Sequence, residues 1–241
     1  MNMSQKSILH NDEGMWTLNA LPLERFKELY NFTPTPEWAE HIQKASVRMN
    51  NGGSASFVSS QGLLATNHHV AESILADLSS KEKDYIADGF FAETQTDELR
   101  APHLEVNVLW EIEDVTARVS SIEMSQIEAE QLQEERKKEI ARIEKESFEA
   151  TGMRSNVVTL YQGGRYHLYR YKKYTDIRLV FAPEYAIASL GGDFDNYEYP
   201  RFNLDVAFFR VYENNMPLKT KHFFTWAKEN SKEPAAVPAP T

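Results

Sequence analysis

The stretch that most constrains the fold is Gly53-Ser54-Ala55-Ser56-Phe57-Val58-Ser59-Ser60-Gln61-Gly62-Leu63-Leu64-Ala65-Thr66-Asn67-His68-His69-Val70. Ala55 to Ser59 alternates small or apolar residues with hydroxyls, the period-two pattern of a half-buried strand. Gln61-Gly62 supplies a tight turn, because glycine tolerates positive φ. Leu63-Leu64-Ala65 reads as a second strand. Such a hairpin delivers Thr66-Asn67-His68-His69 at a strand end, ahead of a helix expected from Ala71 to Ser80. A histidine held there is rigidly placed and partly exposed, as a general base must be. The residue types alone leave two readings open: ordinary strand-end histidines, or a placed base.

Composition narrows the class. Against 36 Asp and Glu stand 26 Lys and Arg, a net charge of -10 over 241 residues. That balance argues against nucleic acid, since phosphate binding needs clustered cations. With 13 Phe, 11 Tyr and 4 Trp, a packed core is expected, in one large domain or one and a half smaller ones. No apolar run approaches the roughly 18 residues of a membrane-spanning helix. The absence of cysteine removes disulfides, a thiol nucleophile and Cys-ligated metals. Met1 to Asn11 is polar and lacks the apolar core of a signal peptide, so the chain as written carries no export signal.

Before the hairpin, Thr35 suits a helix N-cap and Pro36 the first helical position. Trp38, Ile42, Ala45 and Met49 recur at helical spacing, and Asn50-Asn51-Gly52-Gly53 ends that helix. Beyond it, Lys81 to Ala87 reads as a short helix stopped by Gly89, and Leu104 to Trp110 as a strand. Glu113 to Ala150 is dense in Glu, Gln, Lys and Arg. It reads as one long helix or a helical hairpin with a solvated face, capped by Gly152. Strands are expected over Val157–Tyr161, Arg165–Tyr174, Ile177–Ala182 and His222–Trp226, with Gly163-Gly164 and Asn214-Asn215 as turns.

A second constellation runs from Gly191-Gly192-Asp193 to Asp205, followed by the apolar strand Val206-Ala207-Phe208-Phe209-Arg210-Val211. An aspartate at the head of such a strand is costly to bury without a partner. It is either a turn cap or an orienting carboxylate. Asp193, Asp195 and Glu198 lack the spacing of a calcium loop and have no histidine beside them for zinc, so no metal is expected.

The hairpin resembles the first barrel of chymotrypsin-like serine peptidases, in which a strand, a turn and a strand end in the base histidine. By that register His69 is the base and His68 its neighbour. In the same peptidases a strand like the one after Asp205 carries the triad aspartate, and Asp205 stands in its place. Together with Asp12-Glu13-Gly14-Met15-Trp16, Pro34-Thr35-Pro36-Glu37-Trp38 and Asp84-Tyr85-Ile86-Ala87-Asp88-Gly89-Phe90, these blocks resemble the bacterial serine dipeptidyl-peptidases that include dipeptidyl-peptidases seven and eleven.

The resemblance implies a mainly β fold with helical insertions, the first β-barrel of a chymotrypsin-like double-barrel serine peptidase. Residues 1–50 would form an N-terminal segment with its packing helix. Residues 51–241 would form the barrel, with the charged insertion at about 113–150; the second barrel and a helical domain would be missing. The implied activity is release of dipeptides from the free N-terminus of oligopeptides, with His69 as base and Asp205 as its orienter. Asn196 would help hold the substrate's α-amino group, Tyr197 would shape that amine site, and no cofactor is required. Family members are commonly exported, to the periplasm or beyond, and homodimeric.

Three positions depart from the family pattern: Val70 replaces a frequent Cys, Tyr197 the usual Trp, and Phe202 a frequent His. After Asp205 the chain contains no Gly-x-Ser-x-Gly elbow, and it ends in Glu233-Pro234-Ala235-Ala236-Val237-Pro238-Ala239-Pro240-Thr241. The expectation is a frameshifted or truncated end and a chain that is inactive alone. Two alternatives stand beside it: a stress-protease-like serine endopeptidase, which shares the Thr-Asn-x-His-Val block, and a non-catalytic binding fragment.

Overall fold

The computed structural model describes residues 16–124, 129–189 and 202–228. After a first helix, α1 (Leu23–Tyr30), Thr35 caps α2 (Pro36–Ala45), its hydroxyl accepting the Trp38 N–H at 3.2 Å. The helix stops at Ala45 rather than at Met49. From Ser46 the chain becomes strand β1 (Ser46–Met49), with Val47 and Met49 buried on one face. Met49 lies four residues past Ala45 and two past Val47, so it satisfied the helical and the strand period at once.

The hairpin forms as β2 (Ser54–Phe57) and β3 (Leu63–Thr66). Ser59 Oγ accepts the N–H groups of Gln61 and Leu63 at 3.2 and 3.4 Å, and Gly62 takes φ +68°. A Cβ at Gly62 would stand 2.9 Å from Val211 O, so sterics and backbone angle both demand glycine. The helix after the hairpin, α3 (His68–Leu78), begins three residues earlier than Ala71. Residues 81–87 form turns instead of a helix. Ser80 and Asp84 side chains accept the backbone N–H groups there, competing with helical bonds.

The remaining strands are β4 (Phe90–Phe91), β5 (Leu99–Arg100), β6 (Val106–Asp114), β7 (Arg154–Leu160), β8 (Arg165–Tyr174), β9 (Asp176–Ala182), β10 (Ala207–Glu213) and β11 (Met216–Pro217). All pairings are antiparallel, in one sheet of order β4-β9-β10-β3-β2-β1-β6-β8-β7, with β5 on β9 and β11 on β10. The sheet curls, since β6 and β9 bury Val106, Val108, Ile177 and Leu179 in one core with Leu64, Leu75 and Phe209.

The sheet does not close into the expected barrel. The outer edge of β9 is taken by the two-residue strands β4 and β5, and the far edge of β6 continues into β8 and β7. The segment 222–226, expected as a last strand, joins no ladder. Its backbone meets the sheet through the Phe224 N–H, which donates to Phe57 O at 2.8 Å.

Between β6 and β7 the charged segment folds as α4 (Thr116–Ser120), a 3-10 turn (Ser121–Met124) and α5 (Ala129–Thr151). Ile143 and the partly buried Ile140 pack on Val115, Val119, Tyr166 and Leu168, forming a second small core. Arg118 bridges Glu139 and Glu146 at 2.6 and 2.8 Å, and Arg170 Nε donates to Ser147 Oγ at 2.7 Å. Gly152, at φ +68°, ends α5 by donating to Phe148 O. A short helix, α6 (Tyr185–Ala188), follows β9.

Candidate active site

Strand register brings the two sequence blocks together. β10 pairs with β3 so that Ala207 faces Thr66, which sets Asp205 opposite the start of α3. Asn67 stands at the N-cap position of α3, but its side chain does not cap the helix. It turns to Asp205 instead, donating from Nδ2 to the backbone O at 3.2 Å and to Oδ2 at 3.1 Å. Asp205 takes over the capping: its Oδ1 accepts the His69 N–H at 3.1 Å. A carboxylate at a helix N-terminus also meets the positive end of the dipole.

The same carboxylate then holds the imidazole. His69 Nδ1 lies 2.8 Å from Asp205 Oδ2. The Asp205 side chain is 26% exposed and the His69 side chain 67%, so a shielded carboxylate holds an accessible ring. Burial pushes the Asp205 carboxyl up, but the hydrogen bonds from the His69 backbone and ring, its charge and Asn67 outweigh this, and the net shift is downward. Asp205 is therefore an anion at neutral pH.

His68 has the opposite environment. It is 2% exposed, and its Nε2 has no partner among the described residues. Burial is the first cause that moves its pKa down, so the ring stays neutral. Successive residues on a helix point about 100° apart, since a turn holds about 3.6 residues. When His68 turns into the core, His69 must turn out.

His69 lines a cleft of about 760 Å³ with Asn51, Ser54, Asn67, Glu72 and Ser73. The cleft depends on Gly53, where a Cβ would stand 2.3 Å from Val70 Cγ1. Gly53→Ala is expected to push Val70 and the first turn of α3 outward, at about 1–3 kcal/mol of overpacking. Urea unfolding of the variant measures the loss, and an unchanged midpoint would show that the turn yields freely.

His69 and Asp205 are thus brought together, while Asn196 and Tyr197 lie outside the described residues, as do Asp193, Asp195 and Glu198. Among the described residues no group of three His, Asp or Glu side chains is placed to hold a metal. Sequence reading missed Asn67, because a helix expected from Ala71 hid its place at the true N-cap.

The family model of peptidase S46 matches residues 11–237 of this chain. Dipeptidyl-peptidase 7 of Capnocytophaga gingivalis is 32% identical over 235 residues, covering 90% of this chain and 33% of that protein. The Asp/Glu-specific dipeptidyl-peptidase of the same organism is 32% identical over 246 residues, covering 94% and 35%. The chain therefore spans about a third of the length of these relatives. Among solved structures, Porphyromonas endodontalis DPP11 in complex with substrate superposes with a TM-score of 0.71 at 29% identity, covering 88% of this chain and 34% of that one. DPP11 of the same organism with the dipeptide Arg-Glu gives 0.64 at 30% identity, covering 76% and 28%. These matches, across almost the whole chain, place it in the peptidase S46 family, whose relatives are named dipeptidyl-peptidases and are hydrolases of peptide bonds.

Proposed function

We propose that these residues supply the base and the orienting carboxylate of a serine-type dipeptidyl-peptidase, which releases dipeptides from the free N-terminus of oligopeptides. The observation that carries this reading is the 2.8 Å contact of His69 Nδ1 with Asp205 Oδ2, on a ring whose Nε2 has no partner among the described residues. A carboxylate at Nδ1 keeps the proton there and leaves the Nε2 lone pair free. Nε2 then takes the proton of the serine hydroxyl as its oxygen attacks the scissile carbonyl, and returns it to the departing amine. Water, deprotonated by the same nitrogen, hydrolyses the resulting dipeptidyl ester. This mechanism needs no cofactor.

The nucleophile is proposed to lie outside these 241 residues, since the only serine after Asp205 is Ser231, flanked by Asn230 and Lys232. Phe202 and Leu204, 85% and 43% exposed beside Asp205, support a further part of the protein covering this face. In that reading the curled, open sheet is one half of a two-part peptidase domain. Asn196 helps hold the α-amino group, Tyr197 shapes that amine site, and the whole protein is an exported, periplasmic or secreted homodimer. The names of the relatives favour dipeptide release over the endopeptidase alternative.

The 241-residue chain is expected to release nothing from a fluorogenic dipeptidyl amide. Joined to the nucleophile-bearing portion of a relative, it should cleave the free-amine substrate and spare the acetylated one. Release by the chain alone that a serine-directed phosphonate blocks would overturn the first part. Equal cleavage of the acetylated substrate would overturn the second.

A further inference from the structure

A second cleft, of about 560 Å³, shares no lining residue with the first. It is strongly basic in a chain of net charge -10. Lys44 of α2, Arg154 of β7, Lys172 and Lys173 of β8, and Lys219 and Lys221 after β11 all line it, against the single carboxylate of Glu213. Lys44 is paired with Glu40 and Lys173 with Glu105, but Arg154, Lys172, Lys219 and Lys221 form no ion pair among the described residues. Trp110 of β6 lies between these groups, with Lys44 Nζ 4.1 Å and Lys172 Nζ 3.4 Å from its ring centroid. His222 completes the wall: it is 8% exposed, and neither ring nitrogen has a partner among the described residues.

Four of the six cations lack a carboxylate partner among the described residues, and gathering them costs Coulomb energy that a bound anion would relieve. A buried, unpaired imidazole adds a desolvation cost in the same place. We infer that this cleft is a binding site for an acidic peptide segment, docked through its carboxylates on the cations around Trp110.

Three features favour that occupant. Five of the six cations are lysines, point charges on separate flexible stems that can each meet a different carboxylate along an acidic segment. The face of Trp110 is already engaged by two ammonium groups, which disfavours stacking of a nucleobase. The volume falls within the roughly 300–1,000 Å³ of small-ligand sites, so it accepts a few residues rather than a long polyanion. Burial of His222, then the charges of Lys221, Lys44 and His41, push its pKa down against the opposing charge of Glu40, and an anion in the cleft would add to that opposition.

The test is calorimetric titration of the full chain with hexaglutamate, hexalysine, inorganic phosphate and oligothymidylate at low and high salt. Hexaglutamate should saturate below about 1 mM, a modest peptide affinity, and weaken with salt. The double variant Lys172→Glu, Lys221→Glu should weaken it by about tenfold or more. Lys137→Glu, Lys138→Glu makes the same change of net charge on the exposed face of α5, and should alter it by less than about twofold. His69→Ala should leave binding unchanged, so this inference and the peptidase reading fail separately. Equal losses in the two double variants, or no saturation, would overturn the site. Tighter binding of phosphate or oligothymidylate would overturn its assignment to peptide.

Discussion

In a polypeptide that completes this site with a nucleophilic serine, Asp205→Asn is expected to lower kcat by about 10⁴-fold, the scale known for triad aspartates. Asparagine fills the same space, so the substrate pocket and KM should change little. The loss comes from the atoms facing His69 Nδ1, now 2.8 Å from a carboxylate oxygen. An amide can present its NH₂ there and drive the ring proton to Nε2, the nitrogen that has to accept. Asn67 Nδ2 and the His69 N–H would also lose their anionic acceptor. Steady-state kinetics of the variant read the split between kcat and KM. A fall in kcat of less than tenfold would show that Asp205 is only a helix cap.

The capping role has its own signature in stability. The Asp205 carboxyl is held below its ordinary 3.8, so the folded state binds its proton less tightly than the unfolded state. Its contribution is complete above pH 3.8 and is lost as pH falls below that value. Asp205→Asn should therefore be less stable than the parent at neutral pH and converge with it in acid.

The largest loss of stability is expected from Glu98→Ala, at about 3–5 kcal/mol, because it strands a buried charge. The Glu98 side chain is 2% exposed and receives Arg210 Nε at 2.8 Å and the Tyr212 hydroxyl at 2.8 Å. Arg210 also donates to Gln61 O at 3.1 Å, and the Arg178 guanidinium lies 3.7 Å from the Tyr212 ring centroid. This cluster ties the segment before β5 to β10, the strand that leads back to Asp205. Removing the carboxylate leaves Arg210, whose side chain is 14% exposed, without its counter-ion. Urea unfolding measures the change, and a loss under about 1 kcal/mol would mean that water repairs the gap.

Burial, then the hydrogen bond and charge of Glu98, push the Tyr212 hydroxyl up from 10 to about 12. The folded state holds that proton more tightly, so Tyr212 contributes stability below pH 10 that is lost as pH rises toward 12. Tyr212→Phe should flatten the alkaline fall of stability in that window.

Local chemistry made part of this molecule legible in its sequence. The Thr35 cap, the Gly62 and Asn214-Asn215 turns and the Arg165–Tyr174 strand all follow from short-range rules, and each is found. The errors lie where two rules compete. Met49 fitted both periods, and the helix and strand readings differ only in which neighbours it meets. Residues 81–87 have helical composition, but Ser80 and Asp84 take the N–H groups a helix would use. Barrel closure depended on which strand occupies the outer edge of β9, a long-range choice that no local pattern encodes.

At the candidate site the pairing of residues 69 and 205 came from resemblance, since nothing local links positions 136 apart. The choice of His69 over His68 also came from the resemblance, whereas Asn67 needed the true start of α3. The basic cleft was invisible for the same reason: its six cations come from four separate segments of an acidic chain.

The most direct test of the account is the tautomer of His69, read by ¹H–¹⁵N correlation of the imidazole nitrogens in the parent chain and in Asp205→Ala. The account predicts a proton on Nδ1, a hydrogen-bonded Nδ1–H resonance far downfield, and loss of that resonance in the variant. A proton on Nε2, or a ring whose signals are the same in both proteins, would contradict it, because His69 would then have no lone pair held ready for a serine.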